Sequence, residues 1–258
     1  MRNVLEALSA GEITVDEAEA ELAGYVTGEA GRFDAARETR RGVPEAVLAE
    51  GKTPTETAAL AETALETTGR AIVTRVDEDG IVAVRERLAD AHPEIEVFDR
   101  ARVLVAHATD FESPSIAATV GVVSAGTADA GPAGEAAVLA REMGASVDRL
   151  DDVGVASIAR VLDHLDMLRA ADVHVVAAGR EGALPTVVAG LVDVPVIGLP
   201  VASGYGHAGD GEAALFGMLQ SCTVLSVVNV DAGFVAGAQA GLVARAVADA
   251  RGEADGTQ

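Results

Sequence analysis

The stretch from Val175 to Asp231, VVAAGREGALPTVVAGLVDVPVIGLPVASGYGHAGDGEAALFGMLQSCTVLSVVNVD, constrains the fold more than any other part of this chain. Short runs of β-branched residues alternate there with Ala-rich segments of helical length. A loop of Gly, Ser and acidic residues follows each run. Strands separated by helices in this rhythm form a parallel sheet with helices on both faces, and their strand-to-helix loops share one sheet edge. The rhythm begins earlier in the chain. Strands are expected over Thr119–Val123, Ser146–Leu150, Val173–Ala178, Pro195–Leu199 and Val224–Val230, with helices starting near Asp129, Val155, Gly182, Gly209 and Ala232. Residues 115–250 therefore read as a doubly wound, five-stranded parallel α/β sheet.

The preceding residues read differently. Residues 30–107 suit a smaller α/β lobe, with strands at Val43–Ala49, Ala71–Val76 and Arg102–His107 and helices at Thr53–Thr68 and Ile81–Ala91. Thr53 is placed to cap its helix, with Pro54 at the first helical position. Residues 1–29 read as a helical segment: Val4–Ala23 as two short helices broken at Gly11, with Thr14 capping the second, and Gly28–Gly31 as a linker. Thr109–Pro114 reads as a turn-rich connector, and residues 251–258 as a frayed, disordered tail.

Composition narrows the function. Aromatics are 3% of 258 residues, so the core must be built from Val, Ala, Leu and Ile. There are 41 acidic residues against 19 basic ones, a net charge of -22, and Lys52 is the sole lysine. Acid excess with so little lysine fits a high-salt cytoplasm, where a short Debye length screens self-repulsion. The same charge disfavours nucleic acid and anionic membranes as partners. Met1–Glu12 has no apolar signal core, and no run reaches the length of a membrane span. A single cysteine, Cys222, excludes an intramolecular disulfide and a Cys cluster for zinc. The expected location is the cytoplasm.

Five loops should converge on the sheet edge: Ser124–Asp129, Asp151–Gly154, Gly179–Gly182, Ala202–Gly209 and Asn229–Gly233. Their convergence favours a ligand crevice. Ser124, Gly126 and Thr127 open a helix whose N–H groups suit phosphate or ribose oxygens, and Asp129 either caps that helix or binds a sugar hydroxyl. In Gly179-Arg180-Glu181-Gly182 two glycines let backbone approach a flat ligand, and Glu181 is either a dipole-stabilised cap or a general base. Asp151 and Asp152 could orient a cation or move a proton, although such a pair also suits a solvated turn. No Walker lysine, G-x-G-x-x-G, G-x-S-x-G elbow or metal-spaced histidine set is present, and no metal ligand is assigned. Of the histidines, His207 and His107 suit a site. Cys222 ends the helix expected over Gly211–Ser221, at the sheet edge opposite the loops; it is either a small core residue or a nucleophile.

Ser124-x-Gly-Thr-x-Asp129, Ala177-Ala-Gly-x-x-Gly182 and Pro195-Val-Ile-Gly-Leu-Pro200 resemble the purine-biosynthetic carboxyaminoimidazole ribonucleotide mutases. The flavodoxin-like sheet expected here is the mutase type. The chain as a whole resembles their relatives, the nickel-pincer cofactor carboxylases of lactate racemase maturation. That likeness is carried by Gly42-Val-Pro-Glu45, Glu50-Gly-Lys-Thr-Pro54, Thr74-Arg75, Glu181-Gly-Ala-Leu-Pro185, Ser203-Gly-Tyr-Gly206, Ser221-Cys222 and Asn229-x-Asp-x-Gly-Phe234. The mutases carry a catalytic histidine in a Ser-Ala-His-Arg loop after the second strand; here that loop reads Asp151-Asp152-Val153-Gly154-Val155-Ala156.

The resemblance implies carboxylation of the pyridinium ring of nicotinic acid adenine dinucleotide with CO2 or bicarbonate. It also implies hydrolysis of the phosphoanhydride to release AMP, with magnesium as the expected counter-ion of the phosphates. Cys222 would be the nucleophile, and Glu181 or Asp152 the base. Ser124, Gly126, Thr127, Asp129, Gly179, Gly182, Ser203, Gly204, Tyr205, Gly206 and His207 would line the substrate. Lys52, with Arg40 or Arg75, would meet the pyrophosphate. A homo-oligomer with active sites near subunit interfaces is expected, and the Ala/Gly-rich helix Ala232–Ala250 suits close packing, whether between subunits or within one. The alternatives are a mutase-like enzyme acting on a purine ribonucleotide and a non-catalytic nucleotide-binding subunit.

Overall fold

The structure, a computed structural model, describes residues 8–11, 18, 22, 24–203 and 209–255. The expected break at Gly11 is a described turn, whereas Thr14 and most of Val4–Ala23 lie outside the described residues. The chain divides into two units, Met1–Glu112 and Ser113–Gln258.

In the first unit, β1 (Tyr25–Gly28) and β2 (Gly31–Asp34) form an antiparallel hairpin. The expected linker at Gly28–Gly31 is thus the hairpin's turn. Two glycines explain it: Gly31 has φ +141°, which side chains disfavour, and a Cβ on Gly28 would lie 2.5 Å from Thr63 Oγ1. After α1 (Arg37–Arg41) comes β3, which is only Val47–Leu48 rather than the expected Val43–Ala49. Pro44 lacks an N–H for a ladder, and pairing with β4 (Arg70–Thr74) reaches only Val73 and Thr74.

Helix α2 (Pro54–Thr68) begins with a capping box: Thr53 Oγ1 accepts the Glu56 N–H, and the Glu56 carboxylate accepts the Thr53 N–H. Helix α3 (Glu78–Arg87) is capped by Asp77 and ends earlier than expected, with Ala89–Ala91 forming a separate 3₁₀ turn. A strand absent from the sequence expectation, β5 (Glu94–Phe98), pairs antiparallel with β6 (Val103–His107). The sheet order is β3-β4-β6-β5. Its core sets Ala58, Ala61 and Leu65 of α2 and Val84 of α3 against Ala71, Val73, Leu104 and Ala106.

The second unit is a five-stranded, all-parallel sheet with helices on both faces. Its strands are β7 (Thr119–Ser124), β8 (Ser146–Leu150), β9 (Val173–Ala178), β10 (Val196–Pro200) and β11 (Ser226–Val227), in the order β11-β10-β9-β7-β8. The helices are α4 (Ala130–Glu142), α5 (Ile158–Leu162), α6 (Leu165–Ala170), α7 (Ala183–Ala189), α8 (Glu212–Leu219) and α9 (Gly233–Asp255). Alternation sorts the strand residues between two cores. Val120, Val122, Val175 and Ala177 meet α4 and α9, whereas Val123, Val176 and Ala178 meet Leu184, Val188, Ala214 and Met218 of α7 and α8.

Three boundaries depart from expectation. β11 keeps only two residues of the expected Val224–Val230, and Val224 is 95% exposed: edge pairing with β10 covers only Ser226 and Val227. The helix before Cys222 ends at Leu219. The expected tail from Arg251 continues as helix to Asp255, because Arg251 is held by Asp172 and by the Ala117 carbonyl. Residues 256–258 lie outside the described set.

Along α9, Gly233, Gly237 and Gly241 face α4; a Cβ on each would lie 2.3 Å from Pro132 O, 2.5 Å from Ala136 O and 2.5 Å from Met143 Sδ, respectively. The small-residue stripe of this helix is therefore covered within the subunit.

Candidate active site

From β7 the chain moves outward to β8, then crosses back to β9 on the other side, so the strand order reverses between β7 and β9. In an open parallel sheet a crevice opens at such a point, beyond the carboxyl ends of the strands. Ser124–Asp129 and Gly179–Gly182 leave the sheet on its two sides.

Close backbone approach builds the floor. Ala125 N donates to Ala177 O (3.0 Å) and Val153 N to Ser124 O (3.1 Å). A Cβ on Gly179 would sit 2.1 Å from Ser203 O and one on Gly154 2.8 Å from Ala125 O, so glycine is required where these loops cross. Gly182 has φ +65° and donates its N–H to Gly179 O (2.9 Å), closing the turn that starts α7. A Cβ on Gly217 of α8 would lie 2.2 Å from Glu181 O, so this turn rests directly on that helix.

Two polar clusters occupy the crevice. Ser124, fully buried, donates to Asp151 Oδ1 (2.8 Å), which also accepts from Arg149 (3.0 Å). Asp129, 5% exposed, accepts the Ser203 hydroxyl on Oδ1 (2.6 Å) and the Gly126 N–H on Oδ2 (2.9 Å), and the Gly179 N–H also reaches it. Its side chain does not cap α4; it ties the exits of β7, β9 and β10 together. Burial pushes the Asp129 carboxyl above its ordinary range, the three donors oppose this, and the nearby Asp231 carboxylate pushes it up further.

The structure brings Ser124, Gly126, Asp129, Gly179, Gly182 and Ser203 to this crevice, with Thr127 exposed at its rim. Glu181 is exposed at the head of α7. Gly204, Tyr205, Gly206 and His207 lie outside the described residues. Of the two readings of the aspartate pair, Asp152 takes the position of a solvated turn residue. At φ +59° its exposed side chain turns to Arg160 (3.5 Å), and Asp151 faces Ser124 instead. Two neighbouring aspartates in one loop carry no mark in the sequence of which turns inward. Asp231 lies in the Asn229–Gly233 loop, and its sequence signal is its place in the loop that follows the last strand.

Cys222 is exposed in the loop between α8 and β11, at the amino end of the sheet. The five loops leave the carboxyl end. The preceding Ser221 is tied by its hydroxyl to Thr186 of α7 (2.9 Å) and to Thr223 (2.7 Å).

In the first unit Lys52 donates to Leu48 O (2.6 Å), and Arg75, at φ +53°, pairs with Glu50 (2.6 Å). Arg40 pairs with Asp34 (2.6 Å) and lies over the Tyr25 ring. His107 stacks on Phe111 at 4.7 Å, which gives that histidine a packing partner. Among the described residues no group of three or more His, Cys, Asp or Glu could hold a metal ion, and no helix is long and apolar enough to cross a membrane.

Residues 25–108 match the family model for the LarB/PurE-like N-terminal domain, and residues 119–254 match that for AIR carboxylase. The chain belongs to the AIR carboxylase family. The all-parallel sheet and the crevice at its β7/β9 switch lie in the AIR carboxylase part, and membership supports a carboxylase-related function. An uncharacterized protein of Methanocaldococcus jannaschii, MJ0165, is 34% identical over 258 residues, covering 95% of this chain and 97% of the relative. A LarB/PurE-like domain preceding the AIR carboxylase domain places the chain among LarB-like, PurE-related members of the AIR carboxylase family.

Proposed function

We propose that this protein carboxylates the pyridinium ring of nicotinic acid adenine dinucleotide and hydrolyses its phosphoanhydride. The products are pyridinium-3,5-biscarboxylic acid mononucleotide and AMP, and the pathway is nickel-pincer cofactor synthesis. One observation carries the choice over mutase chemistry. The β8 exit, where the mutases hold their histidine, presents Asp151 bonded to Ser124 and Arg149 and carries no imidazole between Asp151 and Ala156. The LarB/PurE-like N-terminal domain supports the same choice.

The chemistry needs a nucleophile because a pyridinium ring is an electrophile and does not attack CO2. The Cys222 thiolate adds to the ring carbon para to nitrogen, forming a C–S bond and leaving an enamine. The adjacent meta carbon then bonds to CO2. A base removes the proton from that carbon, restoring the enamine, whose electrons expel the thiolate and regenerate the aromatic ring. Glu181, at the glycine-flanked turn beside the crevice, is our choice of base. Water then adds across the phosphoanhydride, and AMP leaves.

Cys222 stands at the sheet edge away from the loops. The reading therefore includes a homo-oligomer in which a neighbouring subunit brings thiol and crevice together. Lys52 is proposed as an anion contact for the pyrophosphate. The described side chains do not fit a metal cage, so no step runs through a protein-held ion, and magnesium enters this reading only as a counter-ion of the substrate's phosphates. The acid excess with one lysine supports action in a high-salt cytoplasm.

The test is incubation of the purified protein in concentrated potassium chloride with nicotinic acid adenine dinucleotide, bicarbonate and magnesium, with products followed by mass spectrometry. AMP together with a dicarboxylated pyridinium mononucleotide is the expected result. An unchanged dinucleotide with folded protein overturns the reading.

A further inference from the structure

Asp231 has no part in the chemistry above, yet its geometry is unusual. It sits just beyond the last strand with φ +53°, a left-handed conformation that costs most side chains about 1 kcal/mol or more and that Asp and Asn tolerate best. In that conformation the residue bonds to both sides of the neighbouring β10 exit. Its N–H donates to Pro200 O (2.9 Å), and its Oδ1 accepts the Ala202 N–H (3.0 Å). The next residue is Ser203, whose hydroxyl reaches Asp129 Oδ1 at 2.6 Å and whose carbonyl lies against Gly179. Pro200, Ala202 and Ser203 thus run as one short segment between Asp231 on one side and Asp129 and Gly179 on the other.

We propose that Asp231 is a positioning residue: by gripping Pro200 and Ala202 it holds Ser203 against Asp129 and so fixes the floor of the crevice. The role is assigned to the side chain's acceptor oxygen rather than to its charge. Asp231 acts on substrate only through Ser203 and Asp129, so the inference rests on the proposed function for its catalytic readout alone.

Two variants separate geometry from charge. Asp231→Gly adopts the left-handed conformation freely but has no acceptor for the Ala202 N–H. Asp231→Asn tolerates that conformation and keeps an acceptor oxygen without the charge. Loss of positioning in an active site costs on the order of 100-fold in rate. Turnover of nicotinic acid adenine dinucleotide should show kcat/KM falling by about that factor in Asp231→Gly and largely recovering in Asp231→Asn. Hydrogen exchange, read without substrate, should show the Ala202 amide losing protection in Asp231→Gly and keeping it in Asp231→Asn.

A third readout is the Asp129 titration, followed by carboxyl carbon NMR. Three strand exits bring charged groups to this region. The β8 exit carries Asp151, bonded to Ser124 and Arg149; the β9 exit carries Arg180 and Glu181, both exposed; beyond β11 stands Asp231. Removing the Asp231 charge in Asp231→Asn should move Asp129 down toward its ordinary value; this reports the proximity of the two carboxylates and is read separately from the positioning role.

Wild-type turnover in Asp231→Gly, or equal exchange at Ala202 in the two variants, overturns the positioning role. So does an Asp231→Asn enzyme as slow as Asp231→Gly with Ala202 still protected, since the charge would then act directly. Wild-type protein inert toward the dinucleotide overturns the substrate reading instead, and positioning is then judged on exchange at Ala202.

Discussion

The imidazole of His174 packs against Gly121, where a Cβ would stand 2.3 Å from Nδ1. The two residues face each other across neighbouring strands β9 and β7. Gly121→Ala must displace the ring or the strand. Overpacking of this kind costs about 1–3 kcal/mol, which denaturant unfolding will register as a lower midpoint at unchanged slope. Pairing it with His174→Ala should return part of that loss, because the two changes meet at one contact.

His174 itself makes stability depend on pH. The ring is 1% exposed, Nε2 donates to Leu168 O at 2.7 Å, and Nδ1 is buried with no hydrogen-bond partner among the described residues. Desolvation holds its pKa below the ordinary 6.5. Between the folded value and 6.5 the unfolded chain binds the extra proton, so the stability tied to this histidine is complete above about 6.5 and is lost as pH falls through that window. Unfolding at pH 7.5 and at pH 5.5 should show a smaller difference in His174→Gln than in the wild type; equal differences would remove His174 as the source.

On α9 two glycines predict opposite signs. Replacing an interior helical glycine by alanine gains up to about 1 kcal/mol of propensity. At Gly252 nothing lies within 4 Å of the added Cβ, so Gly252→Ala should be neutral to slightly stabilising. At Gly237 the Cβ would lie 2.5 Å from the Ala136 carbonyl oxygen, a backbone atom that cannot move aside. There sterics win, and thermal unfolding of Gly237→Ala should come several degrees below the wild type.

Cys222 is exposed on the subunit, so iodoacetamide should modify it in the folded protein. Under the covalent route Cys222→Ser and the alkylated enzyme both lose ring carboxylation entirely. Carboxylation at the wild-type rate in Cys222→Ser would eliminate the thiol from the mechanism.

Much of this fold was written in local signals. Thr53, Pro54 and Glu56 announce the start of α2 without help from the rest of the chain, and the first four parallel strands stand within a residue of where the sequence puts them. The misses share a cause: the outcome depended on a neighbour. Glu94–Phe98 alternates charged and apolar residues as a half-exposed strand should, but its identity is settled by pairing with Val103–His107. Val224–Val230 has strand composition, yet only the part alongside Ile197 and Gly198 is laddered. In the crevice, the loops and their glycines were legible because close backbone crossing admits no other residue. The choice between Asp151 and Asp152 rests on one left-handed φ, and the grip of Asp231 on Ala202 joins positions 29 residues apart.

The two borders of the larger sheet are unlike its middle. β8 exposes Ser146, Asp148 and Arg149, and β11 is two residues long. Neither offers a long apolar rail on which another strand could continue the ladder, the condition under which sheets fuse end to end. The larger sheet thereby forecloses its own growth by strand addition, and neither of its borders can seed a fibril.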